Sequence, residues 1–237
     1  MPWPCDAFFC QQFLFVRCPD IASQLIRNRP GNQIRVILGG GEKNFNNSGN
    51  FSDGRTDGQD LIAEWMEDKK NSRSRFIDNR VDLKSLDPDT TDFLLGIFNA
   101  DEFEYKLDIG DEDERQPRLF EMTETAIELL RSDEEGFVLF VEAAHVDKAH
   151  HKNWAKKSLE EVIELELAVE TALKLVNISE TLMIVTADHS HSLTINGYPR
   201  HEADILGYDG GRGSQQRSDD SLGRFYPSLM YSTGPGK

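Results

Sequence analysis

Apolar residues along the chain form two patterns: runs apolar at every position, and stripes repeating every three or four residues. The stripes predict helices over Asp20–Arg27 (Ile21, Leu25, Ile26), Asp60–Lys70 (Leu61, Ile62, Trp65) and Arg118–Arg131 (Leu119, Met122, Ile127, Leu129, Leu130). A long helix is expected over Asn153–Val176, with Leu159, Val162, Ile163, Leu167, Val169 and Leu173 facing inward. The runs predict strands at Ile34–Leu38 and Phe93–Phe98, a short strand and a turn within Arg75–Leu86, and a short strand at Pro227–Tyr231. Gly136–Val141 and Leu182–Val185 are apolar on both faces, as central parallel strands are. With the helix between them they read as a βαβ unit, and the whole order reads as an α/β fold. Asn44–Asp57, Asp108–Glu114 and Gly207–Asp220 are polar and rich in turn formers, and read as loops.

Charge and composition narrow the function classes. With 42 acidic against 26 basic residues the formal charge is −16 and the pI about 4.8, which argues against a general nucleic-acid binder. A hydrophobic fraction of 38% is ordinary for a globular chain, and no apolar run reaches the length of a membrane-spanning helix. Cys5, Cys10 and Cys18 are the three cysteines, so neither a disulfide framework nor a cysteine-ligated metal is available beyond residue 18. Met1–Val16 has a short apolar patch but neither an early basic residue nor a small-residue cleavage site, and makes a poor signal peptide. Asn46, Asn50 and Asn177 begin glycosylation sequons, usable only in a secreted protein.

The chemistry concentrates where the two central strands are predicted to end. One is followed by Glu142-Ala-Ala-His145-Val-Asp147-Lys148-Ala-His150-His151, the other by Thr186-Ala-Asp188-His189-Ser190-His191. Five of the six histidines lie in these segments, each segment carrying carboxylates. Ligands of open α/β sheets gather beyond the carboxyl ends of the strands. On a helix Asp147 and His151 fall four apart on one face, suiting two ligands of one cation. Asp188 and His189 need a turn to converge. A single histidine beside an aspartate is commonly a surface ion pair; two such clusters at two strand ends favour metal binding. Carboxylate and imidazole donors suit zinc, and the all-oxygen Glu142 suits a harder ion such as magnesium. Gly39-Gly40-Gly41 lacks a P-loop's Lys-Ser/Thr and reads as a tight turn, Glu160–Glu166 as a solvated face and His201 as a surface residue. No base geometry can be argued that would make Ser190 a nucleophile.

Gly136–His151 and Leu182–His191 resemble the metal-binding signatures of alkaline phosphatases, in their animal membrane-type branch. The similarity extends to Cys18-Pro-Asp-Ile-Ala-Ser-Gln-Leu-Ile, Val36-Ile-Leu-Gly-Gly-Gly, Asp57-Gly through Glu64-Trp65, Met122-Thr-Glu-Thr-Ala and Gly234-Pro-Gly. It covers residues 18–237, the middle of a family member, and leaves 1–17 as a segment unlike the family. The resemblance implies a three-layer α/β sandwich with a central, mostly parallel sheet, here truncated at both ends. It implies that Glu142 binds magnesium, that Asp147 and His151 bind one zinc and Asp188 and His189 the other, and that Lys148 contacts phosphate through water. The implied reaction is hydrolysis of phosphate monoesters through a phosphoserine. Family members are typically homodimers held by a lipid anchor on the extracellular face of the plasma membrane.

The departures shape the expectation. The chain contains no Asp-Ser-Ala, so the nucleophilic serine is absent, as are the shared early aspartate, the phosphate-clamping arginine and the late zinc histidine. His145 replaces an arginine, Ala143 and Ala144 replace glycines, and Asn99 stands where the animal calcium site has a glutamate. Each zinc keeps two of its usual ligands, so the chain alone is expected to have little or no phosphatase activity. Two rivals stand beside this reading: a short pseudoenzyme serving as a metal-binding or association module, and a phosphomutase or sulfatase relative. The second would not be expected to match outside the ligand clusters, as at Cys18–Ile26 and Met122–Ala126.

Overall fold

The computed structural model describes residues 19–46, 51–110, 113–197, 201–208 and 227–232. The segment 1–17 read as unlike the family, the sequon at Asn50 and most of the Gly207–Asp220 loop lie outside them. The chain divides into two compact units, one of residues 1–104, 108–141 and 167–176 and one of residues 105–107, 142–166 and 177–237.

The first unit is built on a parallel three-stranded sheet. Strands β1 (Val36–Gly39), β2 (Ser74–Ile77) and β3 (Phe93–Ile97) lie in the order β1-β3-β2, with Ile37 opposite Leu95 and Phe76 opposite the same residue on the other side. Helix α1 (Ile21–Arg27) is capped by the Asp20 side chain, which accepts from the Ser23 N–H, and α2 (Leu61–Asp68) by Asp60, which accepts from Ala63. Alternation along β3 supplies both layers. Leu95 and Ile97 join Ile26, Leu61, Ile62 and Trp65 from α1 and α2. Leu94 joins Leu83 of α3 (Arg80–Lys84) with Met122 and Leu129 of α4 (Leu119–Leu130). The mostly parallel sheet with helices on its faces is the expected α/β architecture. The expected turn inside Arg75–Leu86 is instead helix α3, because Asn79 caps it through the Asp82 N–H.

The turn reading of Gly39-Gly40-Gly41 holds. Gly41 has a φ of 92°, and a Cβ on Gly40 would sit 2.3 Å from the Asp101 carbonyl oxygen, so neither position admits a side chain without strain.

Three expectations are corrected. Residues 137–141 and 182–185 run without a ladder partner among the described residues, and their side chains lie open: Val138 is 96% exposed, Phe140 86%, Leu182 84% and Ile184 74%. An apolar run announces a segment able to form a strand, but the strand exists only through a paired neighbour. Second, the long helix, α6 (Ala155–Leu175), buries Ser158, Glu164 and Ala168, while Val162, Ile163 and Leu173 are exposed. Third, Glu160–Glu166 is therefore not a uniformly solvated face: Glu164 is buried, and Glu161 accepts from the Lys106 N–H at 2.8 Å.

The second unit carries α5 (Ala144–His151), the first part of α6, and an antiparallel ribbon of β4 (Leu193–Ile195) and β5 (Leu229–Tyr231). Strand β5 was expected; β4 was not. Leu193 pairs with Tyr231 and Ile195 with Leu229. No helix among the described residues is long and apolar enough to cross a membrane.

Candidate metal centre

All the candidate ligands lie within the second unit. Helix α5 places Asp147 in its first turn, where a carboxylate suits the positive end of the helix dipole, and His150 and His151 in its last, where imidazoles suit the negative end. The four-residue spacing brings His151 Nε2 to 3.4 Å from Asp147 Oδ2. The helix stops at Lys152, and Asn153 takes a φ of 58°, a left-handed conformation that asparagine tolerates. The reversal lets α6 start at Ala155, with the Trp154 N–H returning to the Ala149 carbonyl at 2.9 Å.

The 188–191 segment brings a second set of imidazoles to the same carboxylate. His191 Nε2 donates to Asp147 Oδ1 at 2.7 Å, and His189 Nε2 lies 3.7 Å from that oxygen. Asp188 folds back on its neighbour: its Oδ1 accepts from the His189 N–H at 3.0 Å, and its Oδ2 is 3.5 Å from His189 Nε2. The backbone bends at Asp188. One carboxylate, Asp147, thus faces three imidazoles, and the ligand atoms of Asp147, His151 and His191 lie within 4.8 Å of one another.

The orientation of His189 bears on what the cluster can hold. His189 Nδ1 lies 3.1 Å from the Ser190 carbonyl, which can only accept, so Nδ1 carries a hydrogen. Nε2 then faces oxygens of Asp147 and Asp188, at 3.7 and 3.5 Å. A ring nitrogen tied to a backbone carbonyl, with the other left open, is how metal-binding histidines are commonly oriented. The spacing fits as well. Tetrahedral zinc with bonds of about 2.0–2.2 Å has ligand–ligand edges of about 3.3–3.6 Å, and the Asp147–His151 separation of 3.4 Å falls among them.

Glu142 and Lys148 are not members of this trio. Glu142 is exposed on the segment leading into α5 and is not one of the three close ligand atoms; Lys148 follows Asp147 on α5. Asn99 uses its carbonyl to accept from Gly41 and Glu42, and its amide lies 3.5 Å from Gln116. Two histidines were not singled out from the sequence. His191 was detectable: residues 189 and 191 are two apart in an extended segment and so share a face. His150 had no local signal, because its partners come from other elements. Its Nδ1 is 2.8 Å from the Tyr231 hydroxyl, its Nε2 is 2.7 Å from Ser158 Oγ, and its ring stacks on His191 with centroids 4.8 Å apart. Burial first, and then the adjacent His191, push its pKa below the usual histidine value, while Asp147 pulls the other way.

The comparisons point in one direction. The alkaline phosphatase family model matches residues 4–236. A membrane-bound alkaline phosphatase of Bombyx mori is 40% identical over 93% of this chain and 40% of its own length. The human tissue-nonspecific isozyme of alkaline phosphatase is 34% identical over 99% of this chain and 45% of its own length. Among solved structures, a cold-active alkaline phosphatase from a psychrophilic Shewanella superposes with a TM-score of 0.59 at 26% identity, covering 77% of this chain and 39% of that one. The Thermus thermophilus alkaline phosphatase gives 0.56 at 28% identity, covering 67% and 32%. A TAB5 alkaline phosphatase variant, solved with Mg bound in its M3 site, shares the fold at a TM-score of 0.58 and 19% identity. The chain spans less than half the length of these curated relatives. A match running almost end to end, and the same chain topology in the solved structures, make this chain a member of the alkaline phosphatase family.

Proposed function

We propose that the chain carries ligand sets of a centre that hydrolyses phosphate monoesters with two zinc ions and one magnesium ion. Asp147 and His151 hold one zinc, Asp188 and His189 the other, and Glu142 contributes to the magnesium site. What supports the reading is the convergence of His151, His189 and His191 on the Asp147 carboxylate from two separate segments of the chain. When bound, the zinc ions supply charge to activate the attacking oxygen and to stabilise the leaving one. The chain's own residues set the geometry: α5 fixes Asp147 and His151 four apart, the bend at Asp188 leaves His189 Nε2 3.7 Å from Asp147, and Lys148 supplies a cation that an anionic substrate meets beside them. The substrate is a phosphate monoester; dimerisation, a lipid anchor and placement on the outer face of the plasma membrane follow the family.

Because the chain contains no Asp-Ser-Ala sequence, it provides no nucleophile of the family's kind, and it turns over little or no substrate by itself. The assay is p-nitrophenyl phosphate hydrolysis by the purified 237-residue chain with added zinc and magnesium, beside His151→Ala and Asp188→Ala. Rates at the buffer background are expected for all three. Robust turnover lost in both variants would contradict the inactivity and relocate the nucleophile within the chain.

A further inference from the structure

His150 is not among the ligands assigned above, yet its two ring nitrogens are both engaged by side chains from other elements. Ser158 is 1% exposed, and its hydroxyl donates to the Val146 carbonyl at 3.2 Å. The same hydroxyl lies 2.7 Å from His150 Nε2, and the Tyr231 hydroxyl lies 2.8 Å from His150 Nδ1. Hydrogen bonds thus link Tyr231, His150, Ser158 and the backbone carbonyl next to Asp147.

The elements joined by this chain of bonds are the ones that carry the candidate ligands. His150 lies on α5 with Asp147 and His151, and Ser158 lies on α6 across the reversal. Tyr231 lies on β5 opposite Leu193, two residues after His191, and the Ser232 N–H bonds the Ser192 carbonyl at 2.9 Å. Across this junction the rings of His150 and His191 stack at 29° between their planes. From this stacked position His191 Nε2 meets Asp147 Oδ1 at 2.7 Å.

We propose that His150 is a positioning residue, clamped by Tyr231 and Ser158 so that its ring face keeps His191 in register with Asp147 and His151. The inference rests on the reading that Asp147 and His151 hold a divalent cation. Hydrogen-bond partners one layer out from a metal site typically contribute 10–100-fold to its affinity.

The test is zinc affinity of the full chain, measured by competition with a chromophoric chelator, together with the visible absorption of the cobalt-substituted protein. Tyr231→Phe and Ser158→Ala each remove one oxygen with little change of shape. Each is expected to weaken zinc binding by about tenfold and to shift the cobalt band. Because both act through one ring, the double variant is expected to lose little more than either single one. Thr194→Val removes a different ribbon contact, the 3.0 Å bond to the Met230 carbonyl, and is expected to leave affinity unchanged. Affinities within twofold of the parent for Tyr231→Phe and Ser158→Ala, in a parent that binds zinc and loses it on His151→Ala, overturn the role of His150 and leave the cation reading standing. An equal loss in Thr194→Val shows a ribbon effect and likewise overturns it. A parent that does not bind zinc removes the cation reading, and this inference with it.

Discussion

Asp147→Ala is expected to lower the zinc affinity of the chain by at least about a hundredfold, at the upper end of what the loss of an outer hydrogen-bond partner brings. The carboxylate is the one group toward which both ligand-bearing segments point: His151 approaches Oδ2, while His189 and His191 approach Oδ1. Its removal deletes an anionic donor and leaves imidazoles without the charge that balances a cation. Asp188→Ala is expected to have the smaller effect, because Asp188 contacts His189 and is absent from the close trio. Titration calorimetry with zinc separates the two; equal losses would mean that Asp147 is not the hub. Asp147→Asn keeps the shape and the hydrogen-bond acceptor while removing the charge, and is expected to fall between them.

Arg80→Met is expected to destabilise the first unit by about 1.5–3 kcal/mol, the range for hydrogen bonds to a charged group, because Lys84 and the Arg118 N–H still hold Glu121. Glu121 is 6% exposed and Arg80 12%; the guanidinium bonds both carboxylate oxygens at 2.8 Å. Lys84 adds a third contact at 2.8 Å, and the Arg118 N–H a fourth at 2.9 Å. Burial alone pushes the Glu121 carboxyl upward, but Arg80, Lys84 and the Arg118 N–H outweigh it, and the pKa lies below the ordinary glutamate value of 4.5. A carboxyl whose folded pKa is depressed contributes stability above its unfolded value. That contribution is present above about pH 4.5 and is lost as pH falls through the folded pKa. Urea midpoints are therefore expected to show a large difference between Arg80→Met and the parent at pH 7, narrowing as pH falls below the ordinary glutamate value. A difference of less than about 1 kcal/mol at pH 7, the range of an exposed pair, would contradict the buried-pair account.

The sheet of the first unit was legible because its signals are local. Ile34–Leu38 and Phe93–Phe98 are short β-branched or aromatic runs with a glycine turn or a helix cap close by, and both became strands in nearly the expected places. The runs at 137–141 and 182–185 have the same signal and no ladder, since pairing depends on a neighbour that hydropathy does not reveal. Helical periodicity likewise gave the extent of α6 but not its covered side: Ser158 and Glu164 are buried while Val162 and Ile163 are not. Strand β4 escaped notice because Leu193-Thr194-Ile195 is short and half polar, and its partner lies more than thirty residues away.

The site was legible in the same uneven way. An i, i+4 spacing sufficed to bring Asp147 beside His151, and adjacency to bring Asp188 beside His189. That the two pairs meet follows from a bend at Asp188 that no spacing rule contains, and the metal reading depends on it. His191 was overlooked because attention fell on the Asp-His neighbour pair and not on the two-residue period of extended chain. His150 was invisible for a different reason: Tyr231, the partner that orients it, is 81 residues away in sequence.

The measurement that bears most directly on the central claim is X-ray absorption at the zinc edge on the zinc-loaded 237-residue chain. The account predicts a low-coordinate site of nitrogen and oxygen donors at about 2.0–2.2 Å, with the outer-ring scattering of at least two imidazoles. A shell containing sulfur at about 2.3 Å would place the ion on cysteines among residues 5–18 and contradict the convergence on Asp147.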